Sequence, residues 1–125
     1  MHASQEESRS LIQITARADF LIVQSKGRKW VSKGLILQTR PNACSNDSEN
    51  KRIGFTVTKR VDKSAVKRNR IKRRLRAVAA DVLPNGAKDG QDYILVGRKE
   101  TLRRPYADLC KDLRWCLRKM ELEKS

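Results

Sequence analysis

What this sequence lacks narrows its chemistry before any motif is read. Its only histidine, His2, lies in a polar N-terminal stretch, and its three cysteines, Cys44, Cys110 and Cys116, are an odd number without CxxC spacing. Neither a zinc site nor a disulfide framework is supported, so no protein-held metal and no disulfide-linked partner are expected. Long apolar runs are missing too. The longest, Phe20 to Val23, is far too short to cross a bilayer, and Glu6 and Glu7 precede it where an export signal would be basic. The expectation is a cytoplasmic protein with no membrane partner. Acid is scarce as well: 14 acidic residues stand against 29 basic ones, a formal charge of +15. The carboxylates are scattered through Glu6, Glu7, Asp19, the segment before Lys51 and the C-terminal region. A self-sufficient protein nuclease wants clustered carboxylates or a histidine base, and no catalytic residue is assigned.

What is present is concentrated in Lys59 to Arg76, KRVDKSAVKRNRIKRRLR, which holds ten basic residues and one acid, Asp62. On a helical projection Ile71, Leu75, Val78, Ala79 and Val82 share one stripe, while Asn69, Arg70, Arg73 and Arg76 lie toward the opposite side. The segment reads as a half-buried helix with a basic outer face. A merely solvated helix would intersperse glutamates at i,i+4 spacing, and between Lys63 and Ala80 there is no acid at all. If Asp62 or Ser64 caps the helix, Lys67 and Arg68 fall near its positive end, where cations are disfavoured. Local rules broken in this way mark a surface built for a polyanion. Arg68 projects to the side of Leu75 and is expected to reach toward the edge of the covered sheet.

The remaining elements are shorter. Residues 1–9 read as a disordered tail, Thr15 to Gln24 as a helix ended by Gly27, and Trp30–Val31 and Leu35–Thr39 as strands. PNACSNDSEN has turn chemistry throughout, giving a mobile loop over 41–51. In Arg52 to Thr58 the core residues Ile53, Phe55 and Val57 alternate with Gly54, Thr56 and Thr58, which leave an open, hydroxylic face. Phe55 reads as core rather than as a base-stacking residue. The basic helix is expected to span Ser64 to Val82 and stop before Pro84. Tyr93 to Val96 follows as a strand, and a last helix from Pro105 to about Glu121 buries Tyr106, Leu109, Cys110, Leu113, Cys116, Leu117 and Met120. Trp115 projects outward, onto a neighbour or a partner. Residues 122–125 read as a tail. The order α-β-β-β-α-β-α is an α+β sandwich, with one nucleic-acid-binding domain over 10–121.

The run GFTVTKR (Gly54 to Arg60) followed by AVKRNRIKRRLR (Ala65 to Arg76) resembles the protein subunit of bacterial ribonuclease P. The similarity extends more weakly to Ala18-Asp19-Phe20, to Tyr93 to Lys99 and to the last helix. The resemblance implies a fold like the second domain of ribosomal protein S5, with a left-handed strand-helix-strand crossover against the usual rule. It implies a non-catalytic protein component of an endoribonuclease whose RNA subunit removes the 5′ leader of precursor tRNA, with magnesium held mainly by that RNA. The implied partners are ribonuclease P RNA and precursor tRNA. Carried over by position, Arg68, Asn69, Arg70, Lys72 and Arg73 would bind the RNA subunit, joined by Lys67 and Arg76 of the same basic helix. Phe20, Lys59 and Arg60 and, by weaker similarity, Arg98 and Lys99 would form the leader cleft, with Thr56 and Thr58 placed there by alternation alone and Phe20 able to stack a base. Two departures stand out: Gln24 replaces a second aromatic, and Val61-Asp62-Lys63-Ser64 replaces a shorter turn that often has glycine. The rival readings are a ribosomal protein of similar fold and a DNA-groove reader. A groove reader usually dimerises, and no heptad pattern is present.

Overall fold

The computed structural model describes residues 11–14, 17–41, 51–88 and 90–123. The expected N-terminal tail and the loop over 42–50 lie outside the described residues. In chain order the elements are β1 (Leu11–Gln13), α1 (Arg17–Lys26), β2 (Arg28–Val31), β3 (Leu35–Pro41), β4 (Lys51–Thr56), α2 (Ala65–Gly86), β5 (Gln91–Gly97), α3 (Lys99–Arg103) and α4 (Tyr106–Lys119). The strands form one mixed sheet in the order β1-β4-β5-β3-β2. β4 is parallel to β1 and β5, β3 is antiparallel to β5 and β2, and α2 is the crossover between the neighbours β4 and β5.

The sheet is covered unequally, and that asymmetry makes the site. Tyr93 and Leu95 of β5 point into the main core with Ile71, Leu75, Val78 and Val82 of α2 and Leu109, Leu113 and Leu117 of α4. Ile94 and Val96 point the other way, where Ile14, just after β1, and Val23 of α1 pack on them. A central strand buried on both sides needs an unbroken apolar run, which YILV supplies. In β4, Ile53 and Phe55 face the main core, as their alternation requires. The cysteines of α4, Cys110 and Cys116, are buried as expected. Gly27 ends α1, its N–H donating to the Val23 carbonyl at 2.9 Å. A β-carbon there would collide with the carbonyls of Val23 and Thr39, so only glycine allows this approach of helix end to strand.

Several sequence expectations need correction. α2 does not stop before Pro84 but runs through it to Gly86. The missing proline N–H deprives only Ala80, on the exposed side, of a partner. Burial of Val82 and Leu83 keeps the last turn docked, and the Ala87 N–H closes it on the Leu83 carbonyl. β1 and α3 are absent from the expected order, being only three and five residues long. The third strand of that order ends at Thr56, not Thr58, while Pro41 and Lys51 belong to strands rather than to the loop. Tyr106 is not buried; it is 38 % exposed, and its hydroxyl donates to Asp81. The chain stays packed past α4: Glu121 adopts a left-handed conformation (φ 59°), the Leu122 N–H reaches the Leu117 carbonyl, and Leu122 is buried.

Candidate nucleic-acid interface

The basic face begins at a cap. Ser64 Oγ accepts from the Lys67 N–H, and Asp62 Oδ1 accepts from the Ser64 N–H, so the only acid of the basic run is spent on the turn that starts α2. No acid follows in the first helical turn. Beyond it Lys67, Asn69, Arg70, Arg73 and Arg76 are exposed and Lys72 is half-buried. Among the described residues none of these cations pairs with a carboxylate. Arg70, Arg73 and Arg76 on the outer side of the helix, with Lys67 at its start, are unneutralised and repel each other until an anion arrives. Arg76 lies over the Phe55 ring, 5.7 Å from its centroid, which holds the guanidinium beside the sheet.

Two arginines of the run behave differently. Arg68 does not reach the sheet edge; its guanidinium curls back to donate to the carbonyls of Asp62 (2.9 Å) and Lys63 (2.8 Å). It secures the turn ahead of the helix, with its other nitrogens left for a ligand. Arg74 carries no sequence signal that sets it apart from its neighbours. It donates to the carbonyls of Leu102 (2.8 Å) and Arg104 (2.6 Å) and so ties α2 to the corner between α3 and α4. Arg104 in turn makes a two-pronged pair with Asp112 (2.5 and 3.0 Å), which raises the arginine's pKa still further.

The expected cleft residues are only partly brought together. Lys59 and Arg60 sit at the tip of the turn closed by the Val61 N–H on the Thr58 carbonyl, and both are exposed. Thr58, Arg60, Arg98 and Lys99 surround a cavity of about 390 Å³ at one end of the open sheet face, floored by Ile36 and Val96. Lys99 also lines a second cavity of about 330 Å³ with Lys67, Asp62 and Arg103, so the cleft adjoins the start of the basic helix. Sequence reasoning misses Arg103, because α3 is too short to show a period. Thr56 is on the open face, paired in register with Val96, but half-buried. Arg98 is partly committed, donating to the Ser32 carbonyl at 2.5 Å. Phe20 belongs to α1, the helix whose Val23 packs on that same face; its side chain lies outside the described residues. At the other end of the face, Arg52 is held by both oxygens of Asp92 (2.8 and 3.0 Å). Gln38 Oε1, also on this face, is buried without a hydrogen-bond donor.

The model of the family described as Ribonuclease P matches residues 10–121. The chain is 47 % identical over 111 residues to the Ribonuclease P protein component of Paramagnetospirillum magneticum, covering 88 % of this chain and 83 % of that one. It is 47 % identical over 107 residues to the protein of the same name from Gluconacetobacter diazotrophicus, covering 86 % and 89 %. Among solved structures, the RNase P protein of Staphylococcus aureus superposes with a TM-score of 0.70 at 24 % identity, covering 90 % of this chain and 97 % of that one. That of Thermotoga maritima gives 0.69 at 21 %, covering 86 % and 96 %. These two likenesses speak to the fold.

Proposed function

The chain belongs to the ribonuclease P protein family, the protein component of the endoribonuclease that matures tRNA 5′ ends with an RNA subunit, and on that premise we propose how it holds RNA. The outer face of α2, through Lys67, Arg70, Arg73 and Arg76, grips the phosphates of ribonuclease P RNA. Asn69 and Lys72 flank them, and Arg68 fixes the turn from which they project. The cavity at Thr58, Arg60 and Lys99, with the turn cation Lys59, Thr56 on the open face and Arg98 at its rim, takes the single-stranded 5′ leader of precursor tRNA. Phe20 on α1 supplies a stacking surface. Holding the leader favours precursor over mature tRNA, because only the precursor has that strand. The observation that carries this reading is the unneutralised row of cations on α2 running into the cavity at Lys99.

The chain contributes binding and positioning, and the RNA breaks the bond. Magnesium belongs with the RNA: Asp92 and Asp112 are each engaged by an arginine and Asp62 by a backbone N–H, which is not a donor set that fits the ion. The reading also places the protein in the cytoplasm; no helix among the described residues is long and apolar enough to cross a membrane.

Reconstitution with ribonuclease P RNA at low magnesium tests the proposal. The wild-type chain should restore leader removal. Arg70→Ala/Arg73→Ala should weaken binding and flatten its salt dependence by about 0.7–0.9 in log–log slope for each phosphate left unneutralised. No rescue by the wild type, or leader cleavage by the chain without RNA, would overturn it.

A further inference from the structure

A further cavity shares only Arg98 with the cleft described above. It has a volume of about 700 Å³ and sits where α4 crosses the β2–β3 turn, lined by Lys33, Lys111, Arg114 and Arg118 around Trp115 and Val31. None of the first three pairs with a carboxylate among the described residues, and Arg118 meets Glu123 only at 3.9 Å on the surface. Asp112, the acid on its wall, is taken up by Arg104. Lys111 and Trp115, and Arg114 and Arg118, are each four apart and so share one side of α4, with Asp108, three before Lys111, beside them. Trp115 is 38 % exposed although Trp30 packs on it at 5.9 Å in an edge-to-face pair. Lys119 Nζ lies 6.0 Å from the centroid of the Trp115 ring, and a half-exposed tryptophan flanked by cations suits a partner with a flat ring and a negative backbone. Arg98 lines this cavity as well as the one at Lys99.

We propose that this cavity is a further RNA site, in which one unpaired nucleotide packs its base on Trp115 while Arg114, Arg118 and Lys111 take the flanking phosphates. The proposal leans on the RNA-binding reading for its ligand class, but not on where the leader or the RNA subunit sits.

The full chain carrying Trp30→Phe, so that Trp115 alone emits, is titrated with a single-stranded oligouridylate and, separately, with inorganic polyphosphate. Saturable quenching of Trp115 by the oligonucleotide, with polyphosphate competing but quenching little, is expected. Arg114→Ala/Arg118→Ala should weaken the oligonucleotide's quenching curve. Trp115→Ala, followed by anisotropy of a labelled oligonucleotide, should lower affinity about 5- to 150-fold, the span of one lost base stack. Circular dichroism checks that each variant is folded. Oligonucleotide binding that leaves Trp115 emission unchanged would overturn the proposal. So would emission that changes only with protein concentration, the mark of self-association. This titration is independent of ribonuclease P RNA, so its failure and a failure of reconstitution are told apart.

Discussion

The outer face of α2 and the seam where α2 meets the α3–α4 corner are both rich in arginine, and they use it in opposite ways. On the outer face Arg70, Arg73 and Arg76 are exposed and no carboxylate among the described residues answers them. In the seam Arg74 ends on two carbonyls and Arg104 on a carboxylate, all within the chain. Arg73 and Arg74 are sequence neighbours with opposite fates, because a helix turns about 100° between them. Net charge therefore overstates the binding surface: part of the basic surplus is consumed in holding the helices together, and only the remainder awaits a polyanion.

Breaking the seam should cost stability. The largest effect is expected for Asp112→Ala, which strands a guanidinium against α4 and also frees the α3–α4 corner. Its urea midpoint should fall below that of every other variant named here. Arg74→Ala removes two charge-assisted hydrogen bonds and should cost about 1.5–3 kcal/mol, while RNA affinity of the folded fraction stays close to wild type. If that variant instead binds RNA as poorly as Arg70→Ala/Arg73→Ala, the division between the two regions is wrong.

Cys116, on the buried side of α4, gives a smaller effect that depends on pH. Burial pushes its thiol from the usual 9.0 up to about 11. The folded state thus favours the neutral thiol. Its contribution is complete below pH 9 and is lost as pH rises toward 11. The wild type should lose stability relative to Cys116→Ala across that interval and not below it, in urea titrations at each pH. The outer face should respond least: Arg70→Ala/Arg73→Ala should change unfolding free energy by no more than about 0.5 kcal/mol, its effect appearing in RNA binding alone.

Much of this is legible in the sequence where period and burial coincide. The stripe Ile71, Leu75, Val78, Ala79 and Val82 is buried as projected, and the alternation of Ile53 and Phe55 sets the core side of β4. Legibility fails where an element is too short to show a period, as in β1 and α3, and where tertiary packing outvotes a local breaker, as at Pro84. Tyr106 fits the apolar stripe of α4 by projection, yet Asp81 on α2 gives its hydroxyl a partner at the surface. The cleft is legible as a set of residue types, and its assembly is not. Thr58, Arg60 and Lys99 meet only because β4 and β5 are parallel neighbours that end side by side.

By itself the chain determined that a strongly basic, acid-poor helix would cover a small sheet, since spacing and charge are local properties of residues a few positions apart. Only the tertiary structure decided which cations remain available. That outcome depends on carbonyls and carboxylates brought from distant positions, as when Leu102, Arg104 and Asp112 claim the arginines that a helical projection alone cannot tell from their neighbours.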